Sequence, residues 1–389
     1  MTTSRTPDIT TMGCAAAVQK CEAQARRGKS LKPHAGLLRA RQQQMKFSLG
    51  VLGALLAACC CLKAALAQPV QPPPAVTAPV SELLASAPDI VIANGVLTAR
   101  VARIDAARGF YNGTRFDQAG VITSLKRDGR EFYGPWFEKT GPDVLDYTYV
   151  GDDIVAGPDS AISGPVEEFA PLDFAAKPGL FIKPGVGVLY QPDAQPYDHY
   201  RHYRILDAGE RSTKVTKTGV TFTQTLNGIG YGYIYEKSLS LVPGKPQLLM
   251  THRLRNIGQK SINSSVYNHN FLKLIHGNSG TKITFPFALS AASPPAADLM
   301  RIQGNSLTYL RPMANKERMS FSLTGFGKTA ADYDFTIEGG GASVSVKGDQ
   351  PITRLNIFSI DRVQSVEPYI AIDLAPGAEK RWSYTYTFR

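Results

Sequence analysis

Three short stretches of this chain contain residue types that can exchange protons near neutral pH. His269 lies between two asparagines in YNHNF, His199 and His202 lie three residues apart in YDHYRHYR, and Glu367 precedes a proline in SVEPY. An imidazole and a carboxyl group can act together as acid and base when their pKa values are drawn toward neutrality. The stretches are far apart in sequence, so a common site requires the fold to bring them together.

The same residues are open to other interpretations. Two histidines three residues apart, with a distant histidine and carboxylate, could bind a transition metal, but this spacing is weakly specific. We therefore predict no metal and no other cofactor. No nucleophile-elbow motif supports a serine hydrolase. A strand histidine such as His269 is often structural, and His199 and His202 could belong to a polar loop that covers the edge of the core.

The residues around His269 have the pattern of three antiparallel strands. Apolar and aromatic residues alternate with polar ones over 231–241 and again around 250–254, and a third strand is expected over 266–271. Turn signals occur at 243–246 and 256–259. His269 therefore lies in a strand, which gives its side chain a fixed direction.

Similar alternation predicts strands through most of the chain, and no amphipathic helix longer than about three turns is apparent after the N-terminal region. One short helical turn is expected at 295–300. The fold predicted is all-β, a large two-sheet antiparallel sandwich of about 300 residues. The further strands are predicted at 96–101, 116–125, 130–137, 220–226, 283–289, 370–374 and 382–388, with Asp128-Gly129 as a hairpin turn between the second and third of these.

The first 67 residues have the composition of an N-terminal extension and signal peptide. An apolar run over 47–62 follows Lys46, and Ala65-Leu66-Ala67 offers a cleavage site, which indicates Met45 as the true start. The run is short for a membrane span. We expect export to the periplasm, with a proline-rich linker at 68–82 and the folded domain at 83–389.

The cysteines and the charge both point to this N-terminal region. All five cysteines lie within residues 1–61, and LAAC ending at Cys59 resembles a lipobox, so a lipid anchor there is the alternative to a soluble exported protein. Residues 1–67 carry 10 basic and 2 acidic residues, which leaves 33 and 30 for the remainder. A nearly balanced mature chain gives no reason to expect a nucleic-acid partner.

Several motifs resemble those of galactose-mutarotase-like proteins, the group that includes aldose 1-epimerases and hexose-phosphate epimerase relatives. The resemblance is carried by YEKSLSL at 235–241, LRNIG at 254–258, YNHNF at 267–271, and VEP at 366–368 followed by LAPGAEKRW at 374–382. AGVITSL at 119–125 resembles an early strand of the same proteins. The resemblance implies a two-sheet supersandwich with a sugar or glycan as the ligand.

The resemblance also implies roles for individual residues. Glu367 would take a proton from the anomeric hydroxyl, and His269 would give one to the ring oxygen. A second histidine, His199 or His202, would hold a ring hydroxyl or the ring oxygen; the family has a His-Gly context there, and this chain has Asp198-His199-Tyr200. The remaining expected sugar contacts are Arg115, Arg204, Asn268, Tyr197 and Trp136.

Three functions remain open at this point. The chain could be an epimerase-like enzyme, a glycan-binding module without chemistry, or a lyase or hydrolase that acts on an acidic polysaccharide through the residues around 197–204. The irregular stretch 138–200 is rich in Pro, Gly and Asp, and we expect it to form a functional surface loop. The sequence does not indicate the sugar or the oligomeric state.

Overall fold

The computed structural model describes residues 77–389. The predicted N-terminal extension, the signal peptide, Cys59 and the first part of the proline-rich linker lie outside the described residues. Within them, ordered structure begins at Ala78, inside the linker predicted for 68–82, with a two-residue strand and the helix α1, Val80–Ser86. No helix in residues 77–389 is long and apolar enough to cross a membrane.

The described chain contains 26 strands and two short 3-10 turns, His276–Asn278 and Ala330–Asp332. The strands of the first half are β1 Ala78–Pro79, β2 Asp89–Ala93, β3 Leu97–Ala102, β4 Ile122–Arg127, β5 Arg130–Tyr133, β6 Lys139–Thr140, β7 Tyr147–Val150, β8 Asp153–Ala156, β9 Pro165–Phe169, β10 Gly179–Lys183, β11 Gly187–Gln191, β12 Arg204–Asp207 and β13 Glu210–Val215. Those of the second half are β14 Gly219–Gly228, β15 Tyr231–Leu241, β16 Gln247–Asn256, β17 Ile262–Asn270, β18 Lys282–Thr284, β19 Met300–Gln303, β20 Ser306–Tyr309, β21 Arg318–Leu323, β22 Asp334–Gly339, β23 Ala342–Gly348, β24 Arg354–Ile360, β25 Gln364–Leu374 and β26 Glu379–Phe388.

Two large sheets form the sandwich. The ten-stranded sheet has the order β13-β14-β15-β16-β26-β23-β22-β18-β20-β19, and the five-stranded sheet has the order β21-β24-β25-β17-β9. Smaller sheets, β2-β3-β4-β5, β1-β6-β8-β7 and β10-β11-β12, lie around them. All described strand pairs are antiparallel except β6 with β8, so the predicted all-β antiparallel fold is confirmed.

The main core lies between the two large sheets. Val266, Ile357 and Ile370 of the five-stranded sheet belong to the same buried cluster as Met250 and Tyr384 of the ten-stranded sheet. One face of the five-stranded sheet therefore packs into the core. Its other face carries the polar residues described below.

The alternation that predicted the central strands gives the observed strands. β15 and β16 cover their predicted segments, and β17 covers 266–270 of the segment predicted for 266–271. The Asp128-Gly129 turn joins β4 to β5 with both residues at positive φ, 50° and 80°. That conformation is typical of a two-residue hairpin turn, and asparagine, aspartate and glycine adopt it most readily.

Four predicted elements differ in the structure. The strand expected over 116–125 begins only at Ile122, because Gly120 adopts a φ of +71° and interrupts the extended backbone. The strand expected over 283–289 ends at Thr284, shortly before Pro286, which lacks the N–H that continued pairing needs. The segment 295–300 is a turn without a helix, and the strand expected over 130–137 ends at Tyr133, before Pro135.

Candidate functional site

The predicted acid and base meet on the outer face of the five-stranded sheet. β17 and β25 pair with Tyr267 opposite Tyr369, and the bridge of Leu272 with Gln364 keeps the same register. His269 on β17 consequently lies opposite Glu367 on β25. Since side chains two residues apart share a face, Tyr267, His269, Glu367 and Tyr369 all project to the same side of the sheet. The fold therefore brings together residues almost 100 positions apart.

The neighbouring strands extend this face on both sides. β24 places Asn356 beside Glu367 and Arg354 beside Tyr369, and β9 places Glu168 beside Tyr267. We call the set Glu168, Tyr267, Tyr369 and Arg354 the charged row, because it crosses four strands at one level. The His269–Glu367 pair lies one step, or two residues, further along the same strands.

Residues from other elements close a pocket around this face. They come from the loop before β4, the loop after β5, the segment around β7, the loop before β12, and strand β21. The pocket is lined by Arg115, Trp136, Asp146, Tyr147, Ser160, His199, Tyr200, Tyr267, His269, Phe271, Arg318, Ser320, Arg354, Asn356, Phe358, Glu367 and Tyr369.

The histidine and the glutamate are in direct contact. Nδ1 of His269 lies 3.0 Å from Oε1 of Glu367 and 2.9 Å from the Ser365 hydroxyl. Both side chains are almost fully buried, with 5% and 7% of their surfaces exposed. Oε1 of Glu367 is buried and has no well-aligned hydrogen bond to any residue in 77–389. The imidazole and the carboxyl group therefore lie side by side at the base of the pocket.

Burial controls the protonation of this pair. It raises the pKa of Glu367 to about 8, against the opposing effect of the Arg115 charge. Burial also lowers the pKa of His269 well below its usual value, and the nearby Arg115 charge adds to this effect. Both groups are therefore held in their uncharged forms near pH 7, and the pair carries one exchangeable proton on Glu367.

Aromatic rings form one wall of the pocket. Phe271 stacks on the His269 imidazole with the ring centres 3.7 Å apart, and Trp136 stacks on Phe271 at 5.8 Å. The Trp136 indole N–H donates to the Ile162 carbonyl at 2.9 Å, which fixes its ring. Phe358 contacts the imidazole edge-on from the other side, at 5.7 Å. These rings fix the orientation of the histidine and keep its surroundings apolar.

Glu168 connects a second group of polar residues at the end of the charged row. The Arg115 guanidinium donates to its Oε2 at 2.8 Å, and the Tyr267 hydroxyl donates to the same oxygen at 2.6 Å. Lys183 and His199 approach Oε1 at 3.5 and 3.3 Å. Burial alone would raise the pKa of Glu168, but the Arg115 and Lys183 charges outweigh it, and the pKa lies well below its usual value. Glu168 is therefore ionised and orients its neighbours.

A second ion pair borders the aromatic rings, because the Arg318 guanidinium lies over the Tyr147 and Phe358 rings at 5.5 and 5.4 Å. The Arg318 guanidinium donates to Asp146 at 2.9 Å and to the Tyr200 hydroxyl at 3.2 Å. Ser160 donates to the other oxygen of the same carboxylate at 2.8 Å. Arg318 is thus held across the mouth of the pocket by groups from two separate loops.

The structure distinguishes the two histidines that the sequence left open. His199 lines the pocket and contacts Glu168, whereas His202 lies outside it, half-exposed, with its Nδ1 3.1 Å from Asp159. The hydrogen bond to Asp159 raises the pKa of His202. His202 is therefore corrected from a sugar contact to a partner of Asp159, a fully buried carboxylate that also accepts hydrogen bonds from the backbone N–H groups of Thr114 and Arg115.

Arg204 and Tyr197 are also outside the pocket. Arg204 is exposed at the start of β12 and lies over the Tyr190 ring at 5.2 Å. Tyr197 stacks on Tyr203 in a small separate cluster, and its hydroxyl accepts a hydrogen bond from Lys183 at 2.6 Å. Neither residue can contact a ligand in the pocket directly, so both assignments as sugar contacts are corrected.

Asn268 faces the other way. It precedes His269 in the same strand, so its side chain points into the sandwich, where it is fully buried. It donates to Glu167 at 2.8 Å and accepts from the Tyr386 hydroxyl at 2.9 Å. Its role is therefore to connect the two sheets, and the prediction that it contacts the sugar is wrong for this geometric reason.

Arg115 and Trp136 line the pocket, and their contact with a sugar stays a prediction. The sequence did not single out the lining residues Tyr267, Arg318, Arg354, Asn356 and Tyr369, nor Glu168, which contacts the lining residues Arg115, Tyr267 and His199. Tyr267 and Tyr369 share strand parity with His269 and Glu367, so alternation alone could have identified them. Glu168 lies in the stretch that the sequence presents as irregular, and no local pattern distinguishes it from Glu167.

No three His, Cys, Asp or Glu residues of the described chain are arranged to hold a metal ion. His199 and His202, the candidate ligands three residues apart, instead contact two different carboxylates. The site is accordingly described by its acid–base pair, its arginines and its aromatic rings.

Comparison with known proteins gives matches at the level of structure only. No family model matches the chain, and no curated protein matches its sequence. A putative aldose 1-epimerase from Escherichia coli K12 is 14% identical, with a TM-score of 0.45, over 78% of this chain and 99% of that one. A galactose mutarotase related enzyme from Lactobacillus acidophilus is 12% identical, with a TM-score of 0.46, over 78% and 97%.

An aldose epimerase homologue from C. elegans is 11% identical, with a TM-score of 0.45, over 78% of this chain and 99% of that one.

Proposed function

We propose that this protein binds a sugar in the pocket and interconverts its anomers, with the His269–Glu367 pair as acid and base. The observation that supports the proposal is the 3.0 Å contact between the two groups on the floor of a pocket lined by aromatic rings and arginines. Aromatic rings can stack on the C–H faces of a sugar, and arginines can donate to its hydroxyl groups.

The arrangement suits the chemistry of the anomeric centre. The anomeric hydroxyl oxygen and the ring oxygen are bonded to the same carbon, so an acid and a base that lie side by side can reach both. One group takes the proton of the hydroxyl while the other gives a proton to the ring oxygen. The bond from the anomeric carbon to the ring oxygen breaks and an aldehyde forms. Rotation of the aldehyde and the reverse transfers close the ring as the other anomer.

The protonation of the empty pocket favours one assignment of roles. Because burial keeps the proton on Glu367 and leaves His269 neutral, Glu367 is the donor and His269 the acceptor at the start of the reaction. The resemblance implies the reverse assignment. The two assignments differ by one proton transfer within the pair and require the same total number of protons, so they give the same dependence of rate on pH.

Polarimetry on a panel of free sugars tests the proposal. The wild-type protein should accelerate the change in rotation of at least one sugar, and Glu367→Gln and His269→Ala should each lower the rate by about 100-fold or more, within the range usual for loss of a general acid or base. His202→Ala is the matched control, because it removes a histidine that lies outside the pocket, and it should retain the rate. Full rates in both pocket variants would remove this assignment.

A glycan-binding module without turnover is the alternative. Saturable binding that Trp136→Ala weakens, with no accelerated interconversion of any free sugar, would favour it. The lyase hypothesis depended on the residues around 197–204, of which His199 and Tyr200 line the pocket, whereas Tyr197, His202 and Arg204 lie outside it. Unsaturated products with new ultraviolet absorbance would nevertheless identify a lyase.

Export is proposed from the sequence alone. Translation from Met45, cleavage after Ala67 and release to the periplasm are expected, with acylation at Cys59 as the alternative. Mass spectrometry of the mature N-terminus in cells that express the full gene would distinguish the two, because an acylated Cys59 and a free Gln68 differ in mass and in membrane association.

A further inference from the structure

The charges around the pocket do not balance. Three arginines line it, and two of them have carboxylate partners: Arg115 contacts Glu168 at 2.8 Å, and Arg318 contacts Asp146 at 2.9 Å. No carboxylate of residues 77–389 lies within 4.0 Å of the third, Arg354. This arginine is exposed, lies over the Tyr369 ring and donates a hydrogen bond to the Tyr369 hydroxyl. Glu367 does not offset the excess, because burial raises its pKa to about 8 and it is mostly uncharged at pH 7.

Arg354 is held in a defined orientation. Its guanidinium carbon lies 3.9 Å from the centre of the Tyr369 ring, which itself stacks on Tyr267 at 4.3 Å. Stacking of this kind restrains the planar group while its N–H edge stays available to a partner. Asn356 lies two residues along the same strand and faces the same side. Its amide N–H donates a long hydrogen bond, 3.5 Å, to the Tyr369 hydroxyl.

We infer that the sugar bound in this pocket carries a carboxylate, as a uronic acid does, and that Arg354 binds this group. The planar guanidinium fork matches the two oxygens of a carboxylate, and one unpaired positive charge matches its single negative charge. The inference rests on the proposed function only in that it requires a sugar at this site.

The spacing of the strands agrees with this placement. Arg354 belongs to the charged row, one step of two residues from the level of His269 and Glu367. That step is about 7 Å along a strand, which a sugar ring with its exocyclic carboxylate can bridge. A ligand whose anomeric carbon lies at the acid–base pair would therefore present the substituent on the far side of its ring to Arg354.

Paired sugars that differ only in the carboxylate provide the test. Binding of D-glucuronate and D-glucose, and of D-galacturonate and D-galactose, is measured by calorimetry, and anomer exchange is measured by NMR for the same four sugars. We expect the wild-type protein to prefer one uronate over its neutral partner, and the preference should weaken as salt is added.

Two arginine variants identify the residue that produces the preference. Arg354→Ala should weaken uronate binding by about 10- to 100-fold and leave the neutral sugar almost unchanged, as expected for the loss of a charged hydrogen-bonded pair. Arg204→Ala is the matched control, because it removes an arginine that is also stacked on a tyrosine but lies outside the pocket. It should leave both affinities unchanged.

The possible outcomes separate this inference from the proposed function. Uronate binding that depends on Arg354, without anomer exchange, would support the inference and contradict the epimerase assignment. Anomer exchange of neutral sugars that equals or exceeds that of uronates would support the assignment and overturn the inference. Equal losses for charged and neutral sugars in Arg354→Ala would also overturn it, since they would indicate a structural role for the arginine.

Discussion

At the scale of single residues, the site depends on two groups whose pKa values are shifted in opposite directions, so that both groups are uncharged near pH 7. His269 and Glu367 are both buried, and their contact lets one proton serve the pair. The identities of these two residues followed from the sequence, through the resemblance and the strand pattern. Their protonation did not, because it depends on how deeply the fold buries them and on the position of Arg115.

The first prediction at this scale concerns pH. The active pair carries one proton, so the rate of anomer exchange should fall as pH rises through about 8, where Glu367 loses its proton. It should also fall at acid pH, when His269 gains a second proton at a pKa below its usual value. A full profile from pH 4 to 10 checks both limbs. A rate that keeps rising above pH 9 would contradict the protonated state assigned to Glu367.

The error at Asn268 has a simple origin at the same scale. Neighbouring residues in a strand point to opposite faces, so Asn268 and His269 could not both face one ligand. The alternation that placed His269 in a strand already contained this information. By contrast, nothing in the local sequence distinguishes His199 from His202, and only the contacts of the folded loop separate them.

At the scale of elements, antiparallel register assembles the site from five strands of one sheet. The long strands β15 and β16 were predictable because buried and less buried positions alternate along most of their length, whereas β17 alternates little and only its second half was predicted. The short strand β9 was not, since PVEEF has no alternation and lies in a stretch rich in Pro and Gly. β9 contributes Glu168. Because the strand could not be predicted from the sequence, the direction of the Glu168 side chain could not be predicted either.

Glu168 provides the prediction for the element scale. Glu168→Gln removes the negative charge that holds Arg115 and Lys183. Burial lowers the pKa of Lys183 to about 8 in the wild-type protein even though the Glu168 charge opposes this effect, so the variant lowers this pKa further. We expect the KM for the sugar to rise about 10-fold, because Arg115 loses its fixed position at the pocket. Steady-state kinetics of anomer exchange measure this change.

A matched control for this variant is Glu379→Gln. It removes a glutamate from an exposed pair with Arg253, in the other large sheet, and should leave KM unchanged. If Glu168→Gln behaves like this control in both KM and stability, Glu168 does not orient the pocket.

At the scale of the whole molecule, a polar network inside the sandwich supports the strand that carries His269. Lys237 is fully buried and contacts Glu167 and Asp117, and His252 contacts the second oxygen of Glu167 at 2.8 Å. Burial alone would raise the pKa of Glu167, but Lys237 and His252 outweigh it and hold the pKa lowered to about 2. The network joins both large sheets, because Lys237 of β15 and His252 of β16 contact Glu167 of β9, which also accepts a hydrogen bond from Asn268 of β17.

Lys237→Met tests the importance of this network. It leaves Glu167 and Asp117 buried without their lysine, and we expect the free energy of unfolding to fall by about 3–5 kcal/mol. Urea unfolding followed by circular dichroism measures the loss. Lys347→Met is the control, because it breaks an exposed pair with Asp334 and should cost less than about 1 kcal/mol. Equal stability of the two variants would show that the buried network is dispensable.

The general architecture was predictable from the sequence, whereas the sheet order was not. Alternation indicates that a segment is a strand and which side chains share a face, but it does not indicate which strands pair. The pairing of β17 with both β25 and β9 decides that Glu367 and Glu168 lie on either side of His269 and Tyr267. The packing of the two sheets places Lys237, whose side chain points from β15 into the sandwich, against Glu167.

The most direct test of the central claim is the rate of anomer exchange in a double variant. If His269 and Glu367 act as one acid–base pair, the variant with both Glu367→Gln and His269→Ala should be about as slow as the slower single variant, because each change alone already disables the pair. Polarimetry with the best sugar of the panel measures all three rates against wild type. Losses that multiply in the double variant would show that the residues act independently and would contradict the account.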